Sequence, residues 1–179
     1  MIRKEFILSE LKYRYPEIKE FIRHPRETVG RPLFLEDGQR GFGARIIICT
    51  ASELDQMSNI DPSPALFLCI GTPGQQVTGT LDLCVLTTDE GKSALFNFVQ
   101  RLFDRLDEWR QRLKELSETA EDVSVLLDAA AQMLQNPLWL CDERLHVVSR
   151  AERFFEELGG GEALVSYKLS DQARDDLPL

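Results

Sequence analysis

Two histidines, four cysteines, one acid inside an apolar run and two glycine-bearing loops make up the reactive inventory of this 179-residue chain. His24 stands in a polar loop before Pro25, and His146 stands within a strand-like run. Neither has a second ligand at metal spacing, so no metal is expected. Cys49, Cys69, Cys84 and Cys141 each sit in or at the end of an apolar run, without a CxxC or a short Cys/His pair. They read as small buried side chains of a reducing compartment. There is no GxSxG elbow and no Walker P-loop, so neither a catalytic set nor a cofactor is expected. Asp82 interrupts an otherwise apolar run. Such a residue is either a buried acid marking a site or, more commonly, a residue on a solvated face. Gly71-Thr72-Pro73-Gly74 directly follows an apolar strand, where covered sheets bind ligands. Gly71, Thr72, Gly74 and Asp82 are therefore the candidate ligand-binding residues. Gly38 to Gly43 precedes a strand, and so lacks the helix N-terminus of a phosphate cradle.

The elements that must position these residues follow from apolar periodicity. Residues 2–22 read as helix, restarted at Pro16. Arg31–Leu35, Ala44–Thr50, Ala65–Ile70 and Thr80–Leu86 read as strands, the last three apolar on both faces and so covered on both sides. A short helix opened by Ser52 lies between the second and third. Leu95, Val99, Leu102, Leu106, Trp109, Leu113 and Leu116 are spaced alternately by four and three, a heptad seam on one long helix over 92–117. Phe96, Phe98 and Phe103 widen its first half, which should pack on the sheet. The narrower second half is expected to project and meet a partner helix. Arg105 and Arg110 flank the seam where a parallel dimer would oppose them, which weakens that geometry. A second helix is expected over 120–135, capped near Ser117 or Thr119, then a hairpin over 138–149 and a helix over 151–158 ending at Gly159-Gly160-Gly161.

Composition bounds the function. Hydrophobic residues make up 43 % of the chain and charged ones 28 %, which fits a packed globular protein. The formal charge of −9 disfavours direct binding to a phosphate backbone. Residues 1–90 carry 10 basic and 13 acidic side chains, 91–118 carry 6 and 5, and 119–179 carry 5 and 12. Three segments follow: an N-terminal α/β domain over 1–90, a connecting helix over 91–118 and a second unit over 119–179. No run is long and apolar enough to span a bilayer, and no signal peptide opens the chain, so a cytoplasmic location without membrane contact is expected.

The stretch from Leu95 to Trp109, the Leu126-Leu127-Asp128-Ala129-Ala130 run and Asn136-Pro137-Leu138-Trp139-Leu140-Cys141-Asp142 resemble the N-terminal sensory region of bacterial transcriptional regulators of the purine-catabolism-regulator (PucR-like) type. The resemblance covers roughly residues 44–150. It implies an α/β domain, a long helix and then a sensory domain of the PAS or GAF kind, here incomplete and without the helix-turn-helix. The fold class expected is thus α/β (α+β). The function expected is small-molecule sensing and homodimerisation through the long helix, with the seven seam residues as the interface. Two alternatives stand beside it. One is a small enzyme whose site gathers Asp82, Thr72 and Arg45; the other is an interaction module without a ligand.

Overall fold

The computed structural model describes residues 1–36, 41–57, 64–74, 81–134, 136–144, 146–151 and 153. The chain divides into two compact units, Met1–Leu106 and Asp107–Leu179. The first is an α/β unit with a mixed six-stranded sheet. In chain order it contains β1 (Ile2–Arg3), α1 (Lys4–Arg14), β2 (Lys19–Phe21), β3 (Thr28–Phe34), β4 (Arg45–Thr50), α2 (Ala51–Gln56), β5 (Leu66–Ile70) and β6 (Asp82–Leu86). The long helix α3 (Lys92–Thr119) begins here. The strands lie in the order β1-β3-β4-β5-β6-β2. The four from β3 to β6 are parallel neighbours, flanked by antiparallel β1 and β2.

Alternation along the strands divides the core. Ile47, Cys49, Phe67, Cys69, Leu83 and Val85 share one face with Leu54 of α2, Phe42 and Leu81. The other face carries Ile46, Ile48, Leu66 and Leu68, all fully buried. It is covered by α1, through Ile7, Leu8 and Leu11, and by the start of α3, through Leu95, Val99, Leu102 and Phe103. The two helices touch through the Arg105–Glu10 ion pair at 2.9 Å and an edge-on Tyr15–Phe98 contact. α3 also reaches β3, where Phe34 stacks on Phe96 and Arg31 pairs with Asp104 at 2.5 Å.

β3 turns a corner. A register shift between Gly30 and Pro32 separates its first residues, which pair with β1, from its last, which pair with β4. Such an irregularity bends a strand and strengthens its twist.

Three local expectations change. Pro16 starts no second helix: Ile18 N–H closes a turn onto the Tyr15 carbonyl, and β2 then pairs with β6. Free hydrogen-bonding groups on β6 outweigh the helical spacing of Ile18 and Ile22. Thr50, not Ser52, caps α2, because Glu53 stands three residues on and completes a capping box. Ser117 and Thr119 do not open a new helix, since their hydroxyls bond back to carbonyls of α3.

The second unit takes the rest of α3, then α4 (Val123–Leu134) and a hairpin of β7 (Trp139–Cys141) and β8 (Val147–Arg150). Asp122 caps α4 by accepting the Ser124 N–H at 2.9 Å. Ala131 and Ala151 form its small core with Leu127 and Leu138. The helix expected over 151–158 and the glycine triplet lie outside the described residues, Ala151 and Arg153 apart.

The unit boundary inside α3 replaces the boundaries expected near 90 and 118, because the first turns of the helix belong to the sheet core. It also corrects the interface. Leu95, Val99, Leu102 and Leu106 are buried within the chain and cannot meet a partner, whereas Trp109, Leu113 and Leu116 are only half-buried. Leu102→Ala should therefore lower stability by about 2–5 kcal/mol in urea unfolding, and Leu116→Ala by less than about half of that.

Candidate functional site

Asp82 is a buried acid, and its partner is a fully buried lysine. Lys4, the first residue of α1, donates from Nζ to Asp82 Oδ2 at 2.6 Å and to Glu27 Oε2 at 3.0 Å. Asp82 Oδ1 accepts the backbone N–H of Arg23 at 2.7 Å, and His24 Nδ1 lies 3.7 Å from Oδ2. The β2–β3 loop thus wraps the start of α1. It also serves as that helix's cap: Arg3 makes no side-chain cap bond, and the Lys4 and Glu5 N–H groups donate to the Glu27 and Pro25 carbonyls. Burial pushes the Asp82 carboxyl up, but Lys4, the Arg23 amide and His24 together hold it below the usual carboxylate range.

His24, Glu27 and Asp82 bring three ligand atoms within 4.8 Å of one another, the spacing of a cation site. The Lys4 ammonium contacts both carboxylates that such an ion would use, and so supplies the positive charge itself. With no exposed surface, Lys4 is not placed to act on a substrate either. The cluster holds the fold together.

The other candidates lie at the opposite end of the sheet. Asp82 begins β6 opposite Leu66, whereas Gly71 follows Ile70, which pairs with Leu86. Four strand residues, about 13 Å, separate them. Arg45 begins β4 at the Asp82 end, with β5 between the two strands. The structure therefore does not gather Asp82, Thr72 and Arg45 into one pocket.

Gly71, Thr72 and Gly74 lie on the rim where β4, β5 and β6 end and α2 and α3 begin. Gly71 has φ +87° and donates its N–H to the Leu86 carbonyl at 3.0 Å. A side chain there is strained by this backbone conformation, and its Cβ would lie 3.4 Å from that of Ala51. The Gly74 N–H donates to Asp55 Oδ1 at 2.7 Å, and Thr72 is exposed. Glu53 accepts from Thr50 and pairs with Lys92, the first residue of α3. Burial opposes ionisation of Glu53, yet Lys92 and Thr50 together keep its carboxyl below the ordinary range. The rim thus carries two carboxylates, Glu53 engaged by Lys92 and Asp55 by the Gly74 amide.

The second unit holds no comparable cluster among the described residues. Trp109 donates its indole N–H to the Ala129 carbonyl of α4 at 3.3 Å. Asp128 accepts the Arg153 N–H at 3.0 Å. Asp142 closes the hairpin, accepting the N–H groups of Arg144 and His146 and facing the His146 ring at 3.2 Å. The His146 amide and ring and the Arg144 amide hold its carboxyl below the usual range. His146 is a turn residue, not a strand residue.

Sequence reasoning placed the rim loop but missed Lys4, Glu53 and Lys92. Their partners lie far away in the chain, and only Glu53, three residues after Thr50, carried a local signal. Comparison with protein-family models, with curated proteins and with solved structures gives no match.

The Asp82 pair has a testable pH signature. Its folded-state pKa lies below the unfolded value of about 3.9, so its stabilisation is complete above that pH and fades as pH falls through the folded value. Asp82→Asn should cost about 3–5 kcal/mol at pH 7, because Lys4 loses its closest partner inside the fold. Urea midpoints of wild type and variant should converge below about pH 4. A Lys4→Met/Asp82→Leu double variant should recover most of the loss.

Proposed function

We propose that this chain is the ligand-sensing and dimerisation region of a cytoplasmic transcriptional regulator of the purine-catabolism-regulator type. The observation that carries the reading is the course of α3. It starts on the strand-end rim, where Lys92 pairs with Glu53 of α2, and runs without proline or glycine to Thr119 in the second unit. A molecule seated against Gly71, Thr72 and Gly74 would act on α2 and, through Glu53 and Lys92, on the first turn of that helix. Such coupling needs only a ligand that binds two packings of the rim unequally.

Dimerisation fits the narrow half of the seam. Trp109, Leu113 and Leu116 remain half-buried, while Arg105, one of the two charges expected to clash in a parallel dimer, is engaged by Glu10. The helix-then-hairpin order of α4, β7 and β8 supports a PAS- or GAF-like beginning to the second unit. Asp142 of the Asn136-Pro137 stretch has a physical part in that hairpin, since it closes the turn. Among the described residues no helix is long and apolar enough to cross a membrane.

The alternative of an interaction module without a ligand draws on the exposed apolar hairpin residues Trp139, Leu140, Val147 and Val148. A thermal-shift screen separates the two. Purine bases and other neutral or amine-bearing metabolites should raise the melting temperature by several degrees at saturation, and nucleotides should not, because of the acidic rim. A flat profile across the panel favours the module. Light scattering after size exclusion should give twice the chain mass for wild type and a shift toward monomer for a Leu113→Glu/Leu116→Glu variant. A monomer at high concentration removes the dimer.

A further inference from the structure

Cys49 and Cys69, expected as small buried side chains, are brought side by side by the sheet. They are direct register partners on the neighbouring parallel strands β4 and β5, one residue from the end of each. Both are free thiols, fully buried in the face that α2 covers. Register partners on adjacent strands have Cα atoms about 4.8 Å apart, inside the range of about 4.4–6.8 Å that a disulfide spans.

We infer that Cys49 and Cys69 form an oxidisable dithiol, which a hydroperoxide converts to a reversible intramolecular disulfide.

Three features support this chemistry. Access comes from the rim. The Cys69 thiol donates to the Gly71 carbonyl at 3.6 Å, in the candidate loop, and the only helix over the pair's face among the described residues is α2, with six residues. Short elements at a sheet end open locally at low cost. Polarity within the pair is set by hydrogen bonding. The Cys49 thiol donates inward, to the Leu68 carbonyl at 3.8 Å, and its closeness to Cys69 and its burial push its ionisation up, whereas the Cys69 thiol donates to the rim carbonyl of Gly71 and is drawn down beside Cys49. Cys69 is thus the attacking sulfur and Cys49 the resolving one. Reversibility comes from strain. Parallel partners hold their Cβ atoms at about the strand spacing, so closure must draw the two strand ends together by the order of 1 Å. A strained disulfide is the readily reduced kind.

The step balances. The Cys69 thiolate attacks a peroxide oxygen, the O–O bond breaks, and the departing oxygen takes a proton, leaving a sulfenic acid. The Cys49 sulfur then attacks the Cys69 sulfur. The S–S bond forms, the S–O bond breaks, and hydroxide leaves as water with the Cys49 proton. Two thiols lose two electrons and two protons, and one hydrogen peroxide becomes two waters. The dithiol operates whether or not the rim takes a ligand.

Cys84 and Cys141 provide internal comparison. Cys84 is equally buried on β6 but faces the opposite side of the sheet, opposite Leu68, and burial pushes its thiol up. Cys141 is half-buried in the hairpin. In the experiment the full chain is treated with hydrogen peroxide in native buffer, quenched in acid, alkylated and mapped by mass spectrometry. Free thiols should fall from four to two, with Cys49 and Cys69 joined in one peptide pair, and dithiothreitol should restore all four. Cys49→Ala should leave Cys69 as a sulfenic acid that dimedone traps. Cys141 oxidised while Cys49 and Cys69 stay reduced, or a joined pair seen only in urea, overturns the inference. The wild-type map decides alone, so a variant that fails to fold leaves the result intact.

Discussion

The buried contact between Lys4 and Asp82 constrains the whole sheet unit. Lys4 directly follows β1 at one edge of the sheet, and Asp82 begins β6, four strands further on. In a flat sheet that span is about 19 Å, well beyond the reach of a lysine side chain. The contact therefore exists only in a curled sheet. β3 provides the curl where its register shifts between Gly30 and Pro32. Burying both charges costs several kcal/mol per ion, which close approach and the extra bonds from Glu27 and the Arg23 amide offset. Only one arrangement of α1, the β2–β3 loop and β6 supplies those bonds together.

That constraint explains where the sequence could be read and where it could not. β4, β5 and β6 were legible because Ile46–Cys49, Leu66–Cys69 and Leu83–Leu86 are apolar without alternation, the mark of strands covered on both faces. α3 was legible from its seam, and the widening by Phe96, Phe98 and Phe103 already separated the half that packs inside the unit from the half that does not. β2 was not legible. Lys19-Glu20-Phe21 has no strand signal of its own and pairs with β6 because that edge is open. The role of Asp82 was hidden for the same reason: its partner lies 78 residues away in sequence, and periodicity carries no information about pairs at that range. The candidate rim loop was visible as a glycine-bearing turn after an apolar strand. The residues that connect it to α3, Glu53 and Lys92, were invisible as a pair.

One heptad pattern serves two purposes in this chain. Its first four members close a hydrophobic core, and its last three lie on a helix with charged neighbours on both flanks. The change comes at Leu106, where the apolar face narrows. Lys92 on the strand-end rim and the half-buried seam residues thus belong to the same helix. Neither proline nor glycine interrupts that helix between Lys92 and Thr119.

The bend in β3 also limits how copies of this unit can meet. Beyond it, Leu35 donates its N–H to Ile48, so alternation turns the Pro32 and Phe34 backbone away from β4, toward the open edge. Proline has no N–H to offer, and β1 covers only Thr28 and Val29. The opposite edge is β2, three residues long. Among the described residues, a sheet bordered in this way gives an incoming strand little to pair with, so strand addition and edge-to-edge aggregation have little purchase.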